Sequence, residues 1–351
     1  MKSLCLKVEL KYAQKALEFA KSKYALNFEF KPQKTKDAKH LLIPLSKQIK
    51  VTFPHSFQKI DFTTERKPKD LKTALTSAGF TETELELVNR SFEHLGNIAI
   101  IEIPAELRVK EKVIAKCVLE VNPSITTILK KESAMTGKYR VRKFKHLAGK
   151  KTTIATYKEN NVLIRVDLAK VYYSTRLAFE RERIASKVKP KETTIVFFAG
   201  CGPFALAIAK KQPQSKVIGI ELNQTACKYF RENVKLNKLT NCEVIQGDVH
   251  TLAKRYEKKA TRVVMPLPHT ASEFLQDALT VATSGAVIHY YGFGPFRNLE
   301  GDKIDPFEKQ IKLVKEECKK AKRNCKIIEK RIARPYSPLE VQVALDVKIL
   351  N

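Results

Sequence analysis

The sequence contains no closely paired cysteines. Its seven cysteines stand at positions 5, 117, 201, 227, 242, 318 and 325, an odd number without a CxxC pair. This spacing is typical of neither a zinc site nor a disulfide framework, so we expect no bound metal ion and reduced thiols. Cys318 and Cys325 lie seven residues apart on an expected helix, and we do not expect a disulfide between them.

Long apolar runs are also missing. No stretch approaches the roughly 18 uninterrupted apolar residues of a membrane helix. The first residues, MKSLCLKVELK, have no hydrophobic core followed by a cleavage site. We therefore expect a soluble, cytoplasmic protein without membrane contact.

Acidic residues are scarce relative to basic ones. The chain has 66 Lys and Arg against 37 Asp and Glu, a formal net charge of +29. An excess this large favours a polyanionic partner such as nucleic acid, because each phosphate contact releases counterions. Lysine enrichment as a general adaptation to heat or salt is the alternative.

The first part of the chain is predicted to form a small basic domain. Within residues 3–45, SLCLKVEL, LNFEFK and HLLIPL have strand patterns and KYAQKALEFAKSKY has helical spacing, which together predict a βαββ unit. The segment FTTERKPKDLKTAL is polar and contains Pro68. We therefore expect this α+β domain to span residues 1–62 and a linker to span 63–75.

A second α+β domain is expected over residues 76–168. NIAIIEIP, SITTILKK, KTTIATYKE and NVLIRVDLA read as strands, and residues 106–121 show helical spacing. From Arg108 to Lys151 there are 13 Lys and Arg residues against three Glu. This density favours a surface that tracks phosphates, although a solvated helix face with hairpin loops is the alternative.

The rest of the chain, residues 169–351, alternates strands with helices. TTIVFFAG, KVIGIEL, CEVIQGDV, ATRVVMPLP and GAVIHYYGF predict a parallel, doubly wound Rossmann-type sheet that binds ligands at the carboxyl ends of its strands. A Lys-rich helix over about 305–322 and two strands around Pro335–Pro338 close the sequence, as an antiparallel hairpin at the sheet edge requires.

A nucleotide-binding turn follows the first of these strands. Gly200-Cys201-Gly202-Pro203-Phe204-Ala205 fits GxGxx(G/A), and Glu221 stands at the end of the next strand. Glycines let the backbone approach a ligand, and a carboxylate there accepts both hydroxyls of a ribose. The pattern alone fits NAD and S-adenosylmethionine equally well.

Three features favour S-adenosylmethionine. Pro203 occupies a position where a helix that binds pyrophosphate usually presents a free N–H. Asp248 follows the third strand, where a carboxylate can read an adenine amino group, although it fits a helix N-cap equally well. The fourth strand ends in MPLP, a rigid loop that can wall a flat base.

A series of motifs resembles one family in order. GKYRVRKFKHLAGKKTTIATYKENNVLIRVDLAKVYYSTRLAFERERI, FFAGCGPFALAIAK, RVVMPLP and VIHYYGF are similar to segments of the archaeal and eukaryotic tRNA (guanine-37-N1)-methyltransferases, from about residue 85 onward. The resemblance implies a Rossmann-type class I methyltransferase domain, a preceding domain that forms part of the active site, and a small N-terminal domain that reads tRNA. It also implies a monomer.

The resemblance assigns roles to individual residues. Glu180 corresponds to the base that takes the proton from guanine N1, and Arg140 to the arginine that stabilises charge on O6. Tyr172 matches a tyrosine near the methyl donor, and Arg176 a motif member that holds a phosphate or orients Glu180. On the residues alone, Glu180 fits a surface ion pair and Tyr172 a core aromatic. The expected cofactor site is completed by Phe198, Gly200, Gly202, Pro203, Glu221 and Asp248.

Two positions depart from the family pattern. Val196 replaces a usual acidic residue on the first strand, and Pro266 replaces the asparagine of NLP after the fourth. The second change resembles an archaeal branch that methylates C7 of the tricyclic base 4-demethylwyosine at position 37, in which case tRNA-Phe is the expected substrate. We expect methylation of guanosine 37 at N1, with C7 methylation as an added activity. The alternatives are N1 methylation alone and an inactive tRNA-binding module, with a dehydrogenase further behind.

Overall fold

The computed structural model describes residues 2–23, 25–27, 30–61, 68–89, 91–133, 135, 137, 139–297 and 300–351. The chain divides into two compact units, Met1–Leu85 and Glu86–Asn351. Each is described by itself below. Within the described ranges, no helix has the length and apolarity needed to cross a membrane.

The first unit is built on a four-stranded antiparallel sheet in the order β2-β3-β1-β4. Leu6, Val8 and Ile43 of this sheet are buried against Ala16 and Ala20 of its helix. The small alanines let the helix lie close to the sheet. The elements are β1 (Lys2–Glu9), α1 (Ala13–Ser22), β2 (Gln33–Lys34), β3 (His40–Leu45), β4 (Ser56–Asp61), α2 (Leu71–Ser77) and α3 (Glu82–Leu87), the last ending just beyond the unit.

The predicted strands and helix of this unit are largely found, whereas part of the predicted linker is helical. SLCLKVEL and HLLIPL are confirmed as strands, and the predicted helix is α1. Of the predicted strand LNFEFK, Leu26 bridges Leu45, while Phe28 and Glu29 lie outside the described residues. Residues 71–75 of the expected linker are helical, because the Asp70 carboxylate caps α2 by accepting the Thr73 N–H at 2.8 Å. Residues 62–67 also lie outside the described ranges.

The second unit begins with a small sheet and a hairpin. The small sheet has the strand order β5-β6-β7-β8, and the hairpin is formed by β9 and β10. Asn233, on a later helix, joins this part to the nucleotide-binding turn, because its side chain bonds the Arg165 backbone and donates to the Cys201 carbonyl at 3.0 Å. The elements are β5 (Glu93–Leu95), β6 (Ile98–Ile101), α4 (Glu111–Val121), β7 (Thr127–Lys131), β8 (Phe144–Gly149), β9 (Ile154–Glu159) and β10 (Val162–Asp167).

A seven-stranded sheet with the order β13-β12-β11-β14-β15-β17-β16 forms the rest of the unit. The first five strands are parallel, and β17 and β16 are antiparallel at the edge, which confirms the predicted Rossmann-type sheet and hairpin. The elements are α5 (Ala178–Lys187), β11 (Thr193–Val196), α6 (Pro203–Lys211), β12 (Lys216–Glu221), α7 (Gln224–Leu236), β13 (Cys242–Gln246), α8 (Val249–Leu252), β14 (Ala260–Met265), α9 (Leu275–Val281), β15 (Ala282–Pro295), α10 (Glu308–Lys320), β16 (Cys325–Pro335) and β17 (Glu340–Ile349).

The core lies on both faces of this sheet. Ile195 at the end of β11 packs among the residues on one face, and its neighbour Val196 packs among those on the other. Both are fully buried. A parallel sheet covered by helices on both faces explains why its strands read as continuous apolar runs. The carboxyl ends of these strands therefore meet along one edge of the unit.

A buried network of charges lies beside the sheet and centres on Asp346 of β17. Its carboxylate accepts hydrogen bonds from Arg183 and Lys187, each at 2.7 Å, and from His289 Nδ1 at 2.6 Å. Arg262 donates to the other ring nitrogen of His289 at 2.8 Å, which fixes a neutral histidine with its proton on Nδ1. Burial opposes ionisation of Asp346, but these partners outweigh it and hold the pKa well below its ordinary value.

Replacing Asp346 by asparagine is expected to lower the free energy of unfolding by about 3–5 kcal/mol, because it leaves buried cations uncompensated. Since the folded pKa is depressed, the wild-type carboxylate stabilises the fold above its unfolded pKa, and this contribution is lost as pH falls below about 4. Urea unfolding at pH 7 and near pH 3 measures both effects. The difference between the two proteins should shrink in acid.

Asp305 provides a matched control, because it is exposed and pairs only loosely with Lys330 at 3.3 Å. Asp305→Asn should leave the urea midpoint nearly unchanged at both pH values. An Asp346→Asn variant as stable as the wild type would contradict the central place of this carboxylate in the network.

Candidate active site

A cavity of about 640 Å³ opens at the carboxyl ends of β11, β12 and β14, entirely within the second unit. The lining also includes Gly137, Tyr139, Arg140 and residues 171–174, which precede the sheet in sequence. Eight of the expected site residues line it together: Arg140, Tyr172, Phe198, Gly200, Pro203, Glu221, Asp248 and Pro266. The motifs therefore converge on one site, as a doubly wound sheet predicts.

Glu221, the last residue of β12, lines the cavity. One carboxylate oxygen accepts the Gly200 N–H at 2.7 Å, and the other accepts the Asn223 N–H at 2.7 Å. Burial raises the pKa of this carboxyl group, although the backbone hydrogen bonds oppose the shift. Each carboxylate oxygen keeps a free lone pair, so the group can accept two further hydroxyls from a ligand.

Gly202 shapes the turn without lining the cavity. It precedes α6 in the left-handed region, with φ of 92°. A Cβ atom there would come within 2.2 Å of the Phe230 ring, so no larger residue fits. Pro203 follows as the first residue of α6, where its missing N–H leaves no helical hydrogen bond unmade.

Three aromatic rings cluster at the cavity, of which Phe198 was expected there from the sequence and Phe274 and His250 were not. The rings of Phe198 and Phe274 meet edge to face with centroids 4.6 Å apart, and His250 stacks on Phe274 at 4.1 Å. All three line the cavity. His250 Nδ1 lies 2.7 Å from Asp277, which fixes the ring. Phe274 comes from the short helical turn Ala271–Phe274 after β14.

Asp248 is confirmed as a helix N-cap, and its contact with an adenine stays a prediction. Its carboxylate accepts the His250 N–H at 3.0 Å and caps α8, and it also lines the cavity. Because Asp248 lines the same cavity as the rings of Phe198, Phe274 and His250, its carboxylate can accept a hydrogen bond from the amino group of a purine. Together with Glu221, this arrangement fits an adenosine whose ribose hydroxyls face one carboxylate and whose base faces the other.

The lining of the cavity also contains a cation and apolar residues. Arg140 has a φ of 52°, and its guanidinium lies 5.6 Å from the centroid of the Tyr172 ring, a cation–π contact that restrains it. Pro266 directly follows the last residue of β14. Because proline has neither an N–H nor a polar side chain, this wall offers only its carbonyl for hydrogen bonding.

Glu180 does not belong to the lining of the cavity as the described residues define it. It is 1% exposed and accepts hydrogen bonds from the Tyr291 hydroxyl at 2.7 Å and Arg183 Nε at 3.0 Å, with Arg331 Nε at 3.2 Å. Both hydrogen bonds go to Oε2, whereas Oε1 is buried and makes no hydrogen bond among the described residues. Arg176 is exposed on the turn before α5 and also lies outside the lining.

Arg181, the residue after Glu180, lines the cavity instead. It is almost fully buried and makes two hydrogen bonds to Glu159, at 2.5 and 2.7 Å, and one to the Ser174 carbonyl at 3.1 Å. Glu159 neutralises its charge, so Arg181 holds the segment of residues 172–174 rather than presenting a free cation. A buried arginine could not be told from an exposed one in the run RLAFERERI.

Val196 stands where the family usually has an acidic residue. The side chain is fully buried in the sheet core and takes no part in the described lining. On this face the strand contributes packing alone. That Glu221 carries the recognition of a ribose stays a prediction from the sequence.

Models of two families match the chain. The TRM5/TYW2 methyltransferase domain matches residues 155–328, and the TYW2 N-terminal domain matches residues 71–152. The first match includes the whole nucleotide-binding turn and α5.

Curated relatives extend the similarity. The tRNA (guanine(37)-N(1))-methyltransferase Trm5b of Methanocaldococcus jannaschii is 32% identical over 99% of this chain and 98% of its own length. Trm5b of Pyrococcus abyssi is 39% identical over 74% of each chain. The tRNA 4-demethylwyosine(37)-methyltransferase Taw21 of Saccharolobus solfataricus is 33% identical over 58% of this chain and 77% of its own.

Solved structures agree with these relatives. The crystal structure of Trm5b from Pyrococcus abyssi superposes with a TM-score of 0.69 at 33% identity, covering 99% of this chain and 100% of the other. A complex of aTrm5 with tRNA-Leu gives 0.68 at 30% identity with the same coverage. TYW2 of Methanocaldococcus jannaschii in complex with AdoMet gives 0.57 at 26% identity, covering 74% of this chain and 100% of the other.

Proposed function

Because the chain belongs to the TRM5/TYW2 family of S-adenosylmethionine-dependent methyltransferases, we propose that it methylates N1 of guanosine at position 37 of tRNA. The main support is the similarity to Trm5b of Methanocaldococcus jannaschii, which extends over 99% of this chain. The lining of the cavity also supports this reaction. It combines Glu221 and Asp248, which suit an adenosine, with the Arg140 cation and the apolar Pro266.

The cofactor end is suited to S-adenosylmethionine. Glu221 accepts the two ribose hydroxyls, and the surface of Phe198, Phe274 and His250 packs against the adenine, with Asp248 at its edge. The bound sulfonium supplies an electrophilic methyl group. The protein's contribution is to hold the acceptor nitrogen in line with that methyl group and to exclude water.

Arg140 is proposed to stabilise the guanine as N1 loses its proton. Negative charge then develops on O6, and a guanidinium held on the Tyr172 ring is a preorganised donor for it. Pro266, which also lines the cavity, provides an apolar wall for the base.

Glu180 is proposed as the group that takes the N1 proton. In the structure it is bonded to Tyr291 and Arg183 behind the cavity, so the role requires the carboxylate to turn toward Leu177 and Arg181, its neighbours that line the cavity. Binding of the base would have to drive this rotation.

The substrate is proposed to be the anticodon loop of tRNA, bound by a monomer. The net charge of +29 suits a polyanion, and aTrm5, which superposes over nearly the whole chain, is known in complex with tRNA-Leu. We assign residues 1–62 to contacts with distant parts of the tRNA and residues 76–168 to contacts near the active site, ahead of the methyltransferase domain at 169–351.

A second activity, methylation of C7 of 4-demethylwyosine, is favoured by one residue. Pro266 replaces an amide that donates and accepts hydrogen bonds beside the base. A carbon acceptor has no N–H for such an amide to orient, so a proline wall is compatible with it. Taw21, which acts on that base by its name, is 33% identical to this chain over 77% of its own length.

Pro266→Asn is expected to shift the product ratio toward N1 methylation by roughly five- to ten-fold, the value of one restored hydrogen bond. The assay measures initial rates on two tRNAs that carry guanosine or 4-demethylwyosine at position 37. Pro268→Asn is the matched control, since Pro268 belongs to the same loop but not to the described lining of the cavity. An equal effect of both variants would show that loop flexibility, not the amide, changes the ratio.

Mass spectrometry of nucleosides tests both activities directly. After incubation with S-adenosylmethionine, 1-methylguanosine is expected from the first tRNA, and its absence would contradict the main proposal. No methyl group on C7 of the second base would remove the added activity. Binding of tRNA without calorimetric binding of S-adenosylmethionine would instead identify an inactive tRNA-binding module.

A further inference from the structure

Three aromatic rings form a surface just outside the cavity. His269 follows β14, Phe293 lies near the end of β15, and Tyr336 lies in the turn between β16 and β17. Their centroids are 4.5 Å apart for His269 and Phe293, 4.4 Å for Phe293 and Tyr336, and 5.8 Å for His269 and Tyr336. We call these three residues the aromatic shelf. His269 also lines the cavity, so the shelf continues its wall outward.

The shelf is open to solvent although it is apolar. Tyr336 is 46% exposed and His269 is exposed as well. The backbone of Phe293 is held by Gln310, whose side-chain amide donates to the Phe293 carbonyl at 2.7 Å. A rigid, exposed aromatic surface next to a substrate cavity is the arrangement on which proteins stack nucleobases.

Three arginines lie beside the shelf. Arg140 lines the cavity, Arg176 lies on the turn Thr175–Leu177, and Arg334 lies on β16, the strand that this turn contacts. Arg334 donates from Nε to Gln342 at 2.7 Å. Burial lowers its pKa, and the positive charges of Arg176 and Arg140 lower it further.

These arginines have no acidic partner among the residues that the structure describes, where none of them forms an ion pair. Neighbouring guanidinium groups repel one another unless an anion lies between them. Arginine is the side chain best suited to bind a phosphodiester, which it does through paired N–H groups.

The shelf and the arginines form one surface. Burial lowers the pKa of His269, and the charges of Arg140 and Arg334 lower it further while that of Glu340 raises it. The net shift is downward, so the ring stays uncharged near neutral pH, and it lies near both guanidinium groups and this one carboxylate. A neutral ring can stack on a base without adding to the positive charge around it. The anion-binding and stacking features therefore serve a single ligand.

We propose that this surface binds the nucleotide adjacent to the target base, with its base stacked on Tyr336 and its phosphate held by Arg334. The inference rests on the proposed function and adds a second nucleotide subsite to it. Stacking tolerates any base. The subsite therefore gives affinity and positions the loop, whereas the choice of the target base remains with the cavity.

Tyr336→Leu is expected to weaken tRNA binding about ten-fold, the range found for loss of one stacking partner, without changing the affinity for S-adenosylmethionine. Tyr336→Phe should keep wild-type binding. Both changes lie in an exposed turn, so the variants should fold. Fluorescence anisotropy with full-length tRNA gives the tRNA affinity, and calorimetry gives the cofactor affinity.

An abasic nucleotide identifies the occupant of the shelf. Two tRNAs are made abasic at position 36 or at position 38, and each is measured with the wild type and Tyr336→Leu. At one of these positions the wild type should lose its advantage over the variant. A full advantage retained with both abasic tRNAs, or equal binding by Tyr336→Leu and Tyr336→Phe, would overturn the stacking part of the proposal.

Arg334→Gln tests the phosphate part. It should weaken binding of all tRNAs alike and reduce the slope of log affinity against log salt by about one. Arg231→Gln, an equal change of charge on exposed Arg231 of α7 outside the lining, is the control and should leave the slope nearly unchanged. Equal slopes for both variants would remove Arg334 from the subsite. Absence of methyl transfer by the wild type would count against the proposed function alone, because these assays measure binding.

Discussion

Glu221→Gln is expected to weaken S-adenosylmethionine binding by about 100-fold, equivalent to the loss of roughly two hydrogen bonds to a charged group. The carboxylate already accepts the N–H groups of Gly200 and Asn223, both at 2.7 Å. An amide in its place must turn its own N–H₂ toward one of these donors, so the turn loses a contact and the ribose loses an acceptor. Calorimetry on the purified variants measures the effect.

The loss should appear in binding more than in folding. Burial raises the pKa of Glu221, which means that the folded protein holds this charge at a cost that a neutral glutamine removes. The unfolding temperature without cofactor should therefore change less than the rise that S-adenosylmethionine produces. Thermal unfolding with and without the cofactor separates the two quantities.

Glu243→Gln is the matched control for this substitution. Glu243 lies on the neighbouring strand β13, exposed, 3.8 Å from Lys216. Its replacement makes the same change in charge away from the cavity and should leave cofactor binding at the wild-type value. Wild-type affinity in Glu221→Gln would contradict the assignment of the ribose to this carboxylate.

The cofactor end could be predicted because its motif residues follow directly on strand ends. Gly200, Glu221 and Asp248 stand at or shortly after the ends of β11, β12 and β13, and parallel strands bring their carboxyl ends to one edge. The length and apolarity of those strands also predicted the sheet and its final hairpin. Local sequence was sufficient here because the topology of a doubly wound sheet does the rest.

Residues that depend on distant contacts could not be predicted in this way. Phe274 reaches the cavity although the sequence assigned it no role, and Arg181 faces the cavity while Glu180, one position earlier, does not. The Glu180 partner Tyr291 is 111 residues away, and the Arg183 partner Asp346 is 163 residues away. The direction of a side chain on a helix with charges on every face is decided by such partners, which the local pattern does not contain.

Glu180→Gln is expected to lower kcat by at least about 100-fold if its carboxylate takes the N1 proton, within the usual range for a general base. A glutamine has nearly the same shape but no basicity. Single-turnover methylation of guanosine-37 tRNA measures the effect, and its pH profile should lose the acidic limb that the wild-type carboxylate produces. Glu182→Gln, on the same helix and paired with Lys211 at 2.7 Å, is the control.

Tyr291→Phe separates this catalytic role from an anchoring one. The Tyr291 hydroxyl donates to Glu180 at 2.7 Å and holds it behind the cavity. If Glu180 must turn to reach the base, removal of that hydroxyl frees the carboxylate, so kcat should be kept or rise. If Glu180 serves only to neutralise Arg183 and Arg331, both variants should lose stability and neither should alter the pH profile.

The position of Arg183 makes the rotation electrostatically feasible. Its guanidinium bonds Asp346 at 2.7 Å as well as Glu180 at 3.0 Å, so it keeps a buried carboxylate partner when Glu180 leaves. The cost of turning then falls mainly on Arg331, which is half-buried and lies 4.7 Å from the exposed Phe179 ring. Asp346 would thus hold the charge balance of α5 in both positions of Glu180. An Asp346→Asn variant should accordingly lower kcat beyond its effect on stability, because Arg183 would then retain Glu180.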